Sequence, residues 1–101
     1  MSLISTFAIK IILRLKSGLI AVGSYGAVVT IWDPKSKEIL QGWRANGMVY
    51  DLIELDNEDL ISCCSENGES SISIHRFDKE QLMYENINDI ECEDSIISCL
   101  V

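Results

Sequence analysis

The most constraining feature of this chain is a pattern of short apolar runs and turns that repeats after about 40 residues. Matching apolar residues recur 40 to 43 positions apart. The pairs are Leu15 with Leu55, Ile20 with Ile61, Leu40 with Leu82, and Ile31 with Ile74. No long segment keeps the apolar period of about 3.6 residues that marks an amphipathic helix. The repeat therefore predicts an all-β chain built from two similar units.

Turn residues divide each unit into four predicted strands. Glycine, asparagine and proline supply the positive φ or the strand exit that a chain reversal needs. The first unit is predicted to have strands at 11–15, 19–24, 27–33 and 38–45, followed by a tight reversal at Asn46-Gly47. The second unit is predicted to have strands at 49–55, 60–65, 71–77 and 81–86. Lone strands are predicted at 2–7 and 95–101.

Four strands in a period of about 40 to 45 residues are typical of a propeller blade, which is a four-stranded antiparallel sheet packed on both faces. The predicted fold is all-β, with about two such blades and a spare strand at each end. We expect a single unit over 1–101, with blade one at 9–45, blade two at 48–87 and a partial third strand set at 95–101. The more polar fourth strand is expected at the outer edge, where charge discourages stray strand pairing.

Most of residues 11–86 resembles the WD-repeat β-propeller family. The run LIAVGS at 19–24, a glycine turn and the run VVTIWD at 28–33 are similar to the second and third strands of a WD-repeat blade. The run VYDL at 49–52, followed by LISC at 60–63, is similar to the first two strands of the next blade. The residues at the motif positions are Gly23, Ser24, Gly26, Trp32, Asp33, Gly47 and Gly68. The resemblance implies structural roles for these residues and a propeller that binds peptides or subunits on its rims.

The chain also departs from the family pattern. Asn46-Gly47 stands where Gly-His is common, and Tyr25-Gly26 and Asn67-Gly68 stand where Asp-Gly is common. In the second unit His75-Arg76 replaces Trp-Asp. The buried polar network that braces blades of the family is therefore largely missing, and we expect apolar packing to hold these blades together.

The charge of the chain is strongly negative and unevenly distributed. Eight lysines and arginines oppose sixteen aspartates and glutamates, which gives a net charge of -8. Residues 1–50 carry six bases and two acids, whereas residues 51–101 carry two bases and fourteen acids. We expect no nucleic-acid and no membrane partner, because the chain repels phosphates and anionic lipids. The acidic half either serves as a solvated face, attracts a basic partner, or pairs with the basic half of a neighbouring copy.

Cysteine spacing and the N-terminal sequence indicate an intracellular protein. The four cysteines contain no C-x-x-C pair, and adjacent Cys63 and Cys64 are predicted to point to opposite faces of one strand. We therefore expect reduced thiols. Lys10, Arg14 and Lys16 interrupt the apolar start, which fits neither a signal peptide nor a membrane span. A soluble cytoplasmic location is the expectation.

The sequence contains no pattern that predicts catalysis, a cofactor or a metal site. His75 is the only histidine, and it lies in an alternating strand without a nearby nucleophile motif, so we expect a structural role. The acidic residues in 51–59 lack the spacing of a calcium-binding loop. We expect a protein that is not an enzyme. A small enzyme on this fold is the third alternative.

Aromatic and turn residues are the remaining candidates for contacts with a partner. The blade interpretation places six of them on loops at one rim or at the channel entrance: Tyr25, Arg44, Asn46, Tyr50, Glu66 and Asn67. Trp43 and Tyr84 lie on predicted fourth strands, where they either contact a partner or pack between the blades.

The resemblance and the repeat predict a scaffold for protein-protein interaction built from WD-repeat-like blades. The alternative is a structural accessory subunit that pairs its open blade edges with partner chains. Closed propellers need about four to eight blades, so about two blades leave faces open. We therefore expect partners that are other proteins or copies of this chain, as a homo-oligomer or a subunit of a complex.

Overall fold

The computed structural model of the protein describes residues 9–92, which form eight β-strands and no helix. The strands are β1 (Ile9–Arg14), β2 (Ile20–Ser24), β3 (Val28–Asp33), β4 (Glu38–Arg44), β5 (Met48–Glu54), β6 (Leu60–Glu66), β7 (Glu69–Asp78) and β8 (Met83–Cys92). They form two antiparallel sheets in chain order, β1-β2-β3-β4 and β5-β6-β7-β8. Within this part of the chain, no helix is long and apolar enough to cross a membrane.

The all-β prediction is confirmed, and the chain has two four-stranded antiparallel sheets. The more polar strands β4 and β8 lie at sheet edges, as expected for the fourth strand of each unit. The lone strands predicted at 2–7 and 95–101 fall outside the described residues.

The core lies between the two sheets. Ala21, Val29 and Ile31 of the first sheet are fully buried against Val49 and Leu60 of the second. β5 is the central element of this packing, because it contacts β1, β2 and β3. Removing an aliphatic side chain of this size from water contributes about 1.5 to 3 kcal/mol. The two sheets therefore share one hydrophobic core.

Details of the chain path repeat between the sheets, at a spacing of 40 residues in the first two strands and 43 residues in the third. The Leu15 N–H donates to the Leu19 carbonyl over 2.9 Å, and the Leu55 N–H donates to the Asp59 carbonyl over 2.8 Å. A β-bulge between Ile9 and Ile11 recurs between Val49 and Asp51. A later irregularity follows Ile31 in the first sheet and Ile74 in the second. Leu15 with Leu55 and Ile31 with Ile74 are therefore equivalent positions, as the repeat predicted.

The structure corrects the other two pairs of the repeat. Ile20 pairs with Arg14 on one side and Trp32 on the other. Leu60 pairs in the same way with Glu54 and His75. The counterpart of Ile20 is therefore Leu60 and not Ile61. A shift by one residue moves a strand residue to the opposite face. The pairing of Leu40 with Leu82 is also wrong, because Leu40 lies in β4 and Leu82 lies in a turn with φ 56°.

The last strand differs most from its prediction. β8 begins at Met83 and continues to Cys92, whereas the sequence predicted a strand at 81–86. Asp78 holds the residues just before β8 in a turn, because its carboxylate accepts hydrogen bonds from the Glu80 and Gln81 N–H groups. The stretch beyond residue 86 extends as a strand because residues 88–92 pair with Ser70–Ile74 of β7.

Asn46-Gly47 reverses the chain between the two sheets instead of closing a hairpin within one sheet. It connects β4 to β5, which lie in different sheets. A side chain at Gly47 would meet the Ser65 carbonyl oxygen at 2.7 Å, so glycine allows this close approach. The crossing brings the end of β4 next to β6 and opens a groove at this rim.

Candidate functional site: a rim groove between the sheets

A cavity lined by described residues lies at the rim where the β2–β3, β4–β5 and β6–β7 connections meet. We call it the rim groove; its volume is about 850 Å³. It is lined by Ala27, residues 44–47, Glu66, Asn67, residues 69–71 and Asp89. Four chain segments far apart in the sequence therefore build one open, mostly polar groove.

Four of the six residues predicted to contact a partner lie together in the rim groove: Arg44, Asn46, Glu66 and Asn67. The other two do not. Tyr25 is 50% exposed, and its ring lies 5.6 Å below the Lys10 ammonium group. Tyr50 packs half-buried against a cluster on the far face of the second sheet. The bulge beside Val49 turns Tyr50 away from the groove.

Local backbone geometry fixes the groove walls. Asn67 and Gly68 have φ values of 52° and 82° between the paired residues Glu66 and Glu69. Two central residues with positive φ are typical of a type I′ hairpin turn, which asparagine and glycine favour. On the opposite wall, the Asn46 side chain donates a hydrogen bond to the Ser73 hydroxyl over 3.3 Å. The sequence predicted the turn correctly, but it did not indicate the bond between Asn46 and the second sheet.

Carboxylates dominate the charge of the groove. Among the described residues, Glu66, Glu69 and Asp89 line it, and Arg44 is the one basic residue that does. Hydrogen bonds from the side chains of Asn86 and Ser73 lower the pKa of Asp89, so this carboxyl group stays ionised at neutral pH. The groove therefore favours positively charged ligands.

Asp89, Glu69, Ser70 and Ser71 belong to the groove, although the sequence did not single them out. The alternating run ESSISIH at 69–75 does predict that Ser71 and Ser73 share a face of one strand. It does not predict which groove that face lines, because this depends on how the two sheets pack. Asp89 was missed because β8 was predicted to end before it.

His75 lies behind the rim groove, between the sheets. It is 3% exposed, its ring lies 4.6 Å from the ring of Trp43, and its Nε2 lies 3.4 Å from the Ser62 hydroxyl. Burial lowers the pKa of His75, which favours the neutral imidazole. These contacts fit the structural role that the sequence predicted.

Trp43 and Tyr84 pack between the sheets instead of projecting into solvent. Their rings lie 6.1 Å apart. The Gln41 side chain fixes this edge, because it donates to the Tyr84 carbonyl over 2.8 Å and accepts from the Tyr84 N–H over 2.7 Å. Together with Asn46 and His75 they line a second cavity of about 280 Å³. The indole N–H of Trp43 is buried there without a hydrogen-bond partner among residues 9–92.

The two cysteines in β6 lie on opposite faces of the strand, as predicted. Cys64 is part of the core between the sheets, and Cys63 lies in a separate apolar cluster on the opposite face. Both thiols are free and buried. Burial raises the pKa of Cys63 to about 11, so the thiol is protonated and a poor nucleophile at neutral pH.

The motif residues mostly stabilise turns and close packing. The Trp32 indole N–H donates to the Thr30 hydroxyl over 3.0 Å, and Asp33 accepts from the Lys35 N–H over 2.9 Å. The Ser24 hydroxyl bridges the β2–β3 turn by bonding the N–H and carbonyl of Val28. The glycines lie in β2 and in the connections: Gly23, Gly26, Gly47 and Gly68.

The acidic turn at 55–59 also has a local structural explanation. The Asn57 side chain donates to the Asp59 carboxylate over 3.1 Å, and the Asp59 N–H donates to the Asn57 side-chain oxygen. The guanidinium of Arg76 lies 3.5 Å from the same carboxylate. In residues 9–92, no three histidine, cysteine or acidic side chains lie close enough together to hold a metal ion.

The chain matches no model of a protein family, no curated protein and no solved structure.

Proposed function

We propose that this protein is an interaction scaffold of WD-repeat-like blades, and that the rim groove binds a basic segment of a partner protein. The observation that carries the proposal is the convergence of Arg44, Asn46, Glu66 and Asn67 on one groove. The volume of about 850 Å³ falls within the range of about 300 to 1,000 Å³ that is common for ligand sites. Its polar lining suits the main chain and charged side chains of a peptide better than an apolar small molecule.

The charge of the groove defines the partner more closely. Glu66 and Glu69 are exposed, and Asp89 is held ionised by its hydrogen bonds. Three carboxylates around a polar groove attract lysine and arginine side chains, and they repel acidic segments. The partner segment is therefore expected to carry at least two basic residues.

The blade interpretation is supported by the topology. Each sheet is a four-stranded meander, and its turn hydrogen bonds and bulges recur at a spacing of 40 residues. The second sheet packs face to face on the first, with β5 against β1 and β2 and β8 against β4. Repeated sheets stacked by their faces are the arrangement expected of neighbouring blades.

The binding test uses three fluorescein-labelled hexapeptides, one arginine-rich, one acidic and one neutral, and measures fluorescence anisotropy. We expect the arginine-rich peptide to bind most tightly. The double variant Glu66→Lys/Glu69→Lys should weaken that binding by about tenfold, because two attractive charges become repulsive.

The matched control is Glu38→Lys/Glu80→Lys, which makes the same charge change at exposed residues on the opposite rim. Its affinity for the arginine-rich peptide should stay within about twofold of the unaltered chain, after allowance for salt. Equal affinity for all three peptides, or equal loss in both double variants, would exclude the rim groove as a basic-segment site.

A second candidate function is that of a structural subunit, and the edge strand β8 favours it. β8 is ten residues long, and Met83, Ile87 and Ile90 are each at least 40% exposed. A long edge strand with apolar side chains can add a strand from a partner chain. A stoichiometric complex that persists on dilution in native mass spectrometry would support this function, whereas a chain that is released free would exclude it.

A further inference from the structure

Each sheet has an outward face that no strand of residues 9–92 covers. On the second sheet, this face carries the apolar cluster of Ile61, Cys63 and Ile72, which are at most 7% exposed, with Ile90 40% exposed beside it. On the first sheet, it carries Ile12, which is 61% exposed, together with the half-buried Ile20 and Trp32 and the buried Val22. The apolar side chains that remain exposed on these two faces include Ile12 and Ile90.

The internal repeat shows that these two faces correspond to the two sides of the contact inside the chain. Arg14 and Ile20 on the outward face of the first sheet are the counterparts of Glu54 and Leu60. Leu60 faces the first sheet and is fully buried there. The second sheet packs on the first with the face that carries Leu60. The outward face of the first sheet is the equivalent face of that sheet.

The same relation holds for the other side of the contact. Ala21, with its neighbour Leu13 in β1, faces the second sheet inside the chain. Their counterparts 40 residues later are Ile61 and Ile53, which lie on the outward face of the second sheet. Suppose that a second copy sits on the second sheet in the way that the second sheet sits on the first. The outward face of the first sheet of that copy would then contact the outward face of the second sheet.

The charges at equivalent positions favour this contact. Inside the chain, the Lys16 N–H donates to the Glu54 carboxylate over 2.9 Å. The counterpart of Lys16 is Asp56, because Leu15 and Leu55 occupy equivalent turns. The counterpart of Glu54 is Arg14. Between two copies this position would thus bring the exposed Asp56 carboxylate, which also lies 3.6 Å from the Lys16 ammonium group of its own chain, towards the exposed guanidinium of Arg14. Opposite charges at this position attract each other.

The remaining charges on the two faces also differ in sign. Arg14 occupies an outward position of the first sheet by register, and no acidic residue does. Asp51 and Glu85 occupy outward positions of the second sheet, where the guanidinium of Arg76 is already paired with Asp59. The two faces are therefore complementary to each other, whereas each face would repel its own copy.

We propose that a second copy of this chain docks its first sheet on the outward face of the second sheet, head to tail. Such a contact joins two different surfaces, so it continues from copy to copy until a ring closes or a stack grows. It leaves the rim groove of each chain to be built from that chain alone, and it does not depend on the peptide binding proposed above.

One difference between the faces limits the strength of this contact. A side chain at Gly23 would meet the Val49 Cγ1 atom at 2.6 Å, so glycine lets β2 approach β5 closely inside the chain. The counterparts of Gly23 and Val49 are Cys63 and Ile9, and both have side chains. The contact between copies is therefore wider than the internal one. We expect a reversible association instead of a permanent one.

Charge reversal tests the contact in the full chain. Sedimentation velocity, over concentrations from about 1 to about 200 µM, should show that the unaltered chain associates reversibly. Arg14→Glu alone and Asp56→Arg alone should each weaken association by about tenfold, because like charges then meet. The double variant Arg14→Glu/Asp56→Arg should restore it to within about threefold.

The control is Lys35→Glu, which has the same charge change as Arg14→Glu in the exposed β3–β4 turn and should associate normally. Circular dichroism confirms that each variant is folded. A chain that stays monomeric throughout the concentration range overturns the proposal. The two faces would then be covered by something other than a second copy. Single variants that associate normally, or a double variant that does not recover, overturn it as well.

Disulfide trapping gives a second measurement that does not depend on affinity. Chains with Arg14→Cys are mixed with chains with Asp56→Cys under mild oxidation, and the unaltered chain gives the background from its own cysteines. Head-to-tail docking predicts cross-linked dimers in the mixture above the level in either variant alone, since only the mixture places a new cysteine on both faces. Equal cross-linking in all samples contradicts the proposed geometry.

Discussion

His75 shows how a residue that resembles a catalytic group can instead hold two sheets together. It lies at the contact of the sheets, where its ring packs on Trp43 and its Nε2 faces the Ser62 hydroxyl. Ser62 is fully buried, so this pair offers no access to a substrate. Burial lowers the pKa of His75. Among the described residues, the charge that also shifts this pKa is that of Asp89, which raises it.

The first prediction concerns the pH dependence of stability. Burial lowers the pKa of His75 below the value of about 6.5 that it has in the unfolded chain. As the pH falls below about 6.5, the unfolded state binds a proton that the folded state does not, so the free energy of unfolding decreases. Urea unfolding between about pH 7.5 and pH 5.5 should show this loss, before most carboxyl groups titrate.

The control for this prediction is His75→Gln, which keeps a polar group near Ser62 but does not titrate. Its free energy of unfolding should change less with pH over the same range. The predicted decrease of the His75 pKa would be wrong if the unaltered chain became more stable as the pH fell. It would also be wrong if the free energy of unfolding changed equally with pH in both proteins.

At the scale of elements, the sequence predicted most strands because apolar runs and turn residues mark them locally. Asn67-Gly68 is such a turn, and the structure has positive φ at both residues. β8 was predicted too short, because nothing local distinguishes a charged edge strand from a loop. Four of the six proposed contact residues converge in the rim groove, since turns that follow alternate strands lie at one rim. Tyr50 was misplaced by a bulge that leaves no mark in the sequence.

The second prediction concerns the packing of β2 against β5. A methyl group at position 23 would lie 2.6 Å from the Val49 Cγ1 atom and 3.0 Å from the Ile11 Cγ2 atom. Gly23→Ala should therefore lower the free energy of unfolding by about 1 to 3 kcal/mol, because the two strands must separate. Urea unfolding at neutral pH measures the change.

The matched test of this explanation is the addition of Val49→Ala, which removes the atom that the new methyl group meets. In the double variant, Gly23→Ala should cost at least about 1 kcal/mol less than it costs alone. Strictly additive losses would show that the substitution acts through something other than this contact.

At the scale of the molecule, the shared core decides whether the two sheets are one folding unit or two. The cluster between the sheets contains residues of both, and Leu60 and Ile31 are fully buried in it. Separating the sheets would expose this cluster on both sides. A single hydrophobic core of this kind favours one cooperative unfolding transition.

The third prediction follows from this shared core. Leu60→Ala removes a fully buried side chain from the second sheet and should lower the free energy of unfolding by about 2 to 5 kcal/mol. Because the first sheet packs on the same side chain, amide hydrogen exchange should accelerate in β2 and β3 as well as in β6 and β7. Ile12→Ala, at a residue 61% exposed on the outward face, is the control and should leave exchange in both sheets nearly unchanged under dilute conditions. Faster exchange confined to the second sheet would mean that the sheets unfold separately, and the internal contact would then be as reversible as the one proposed between copies.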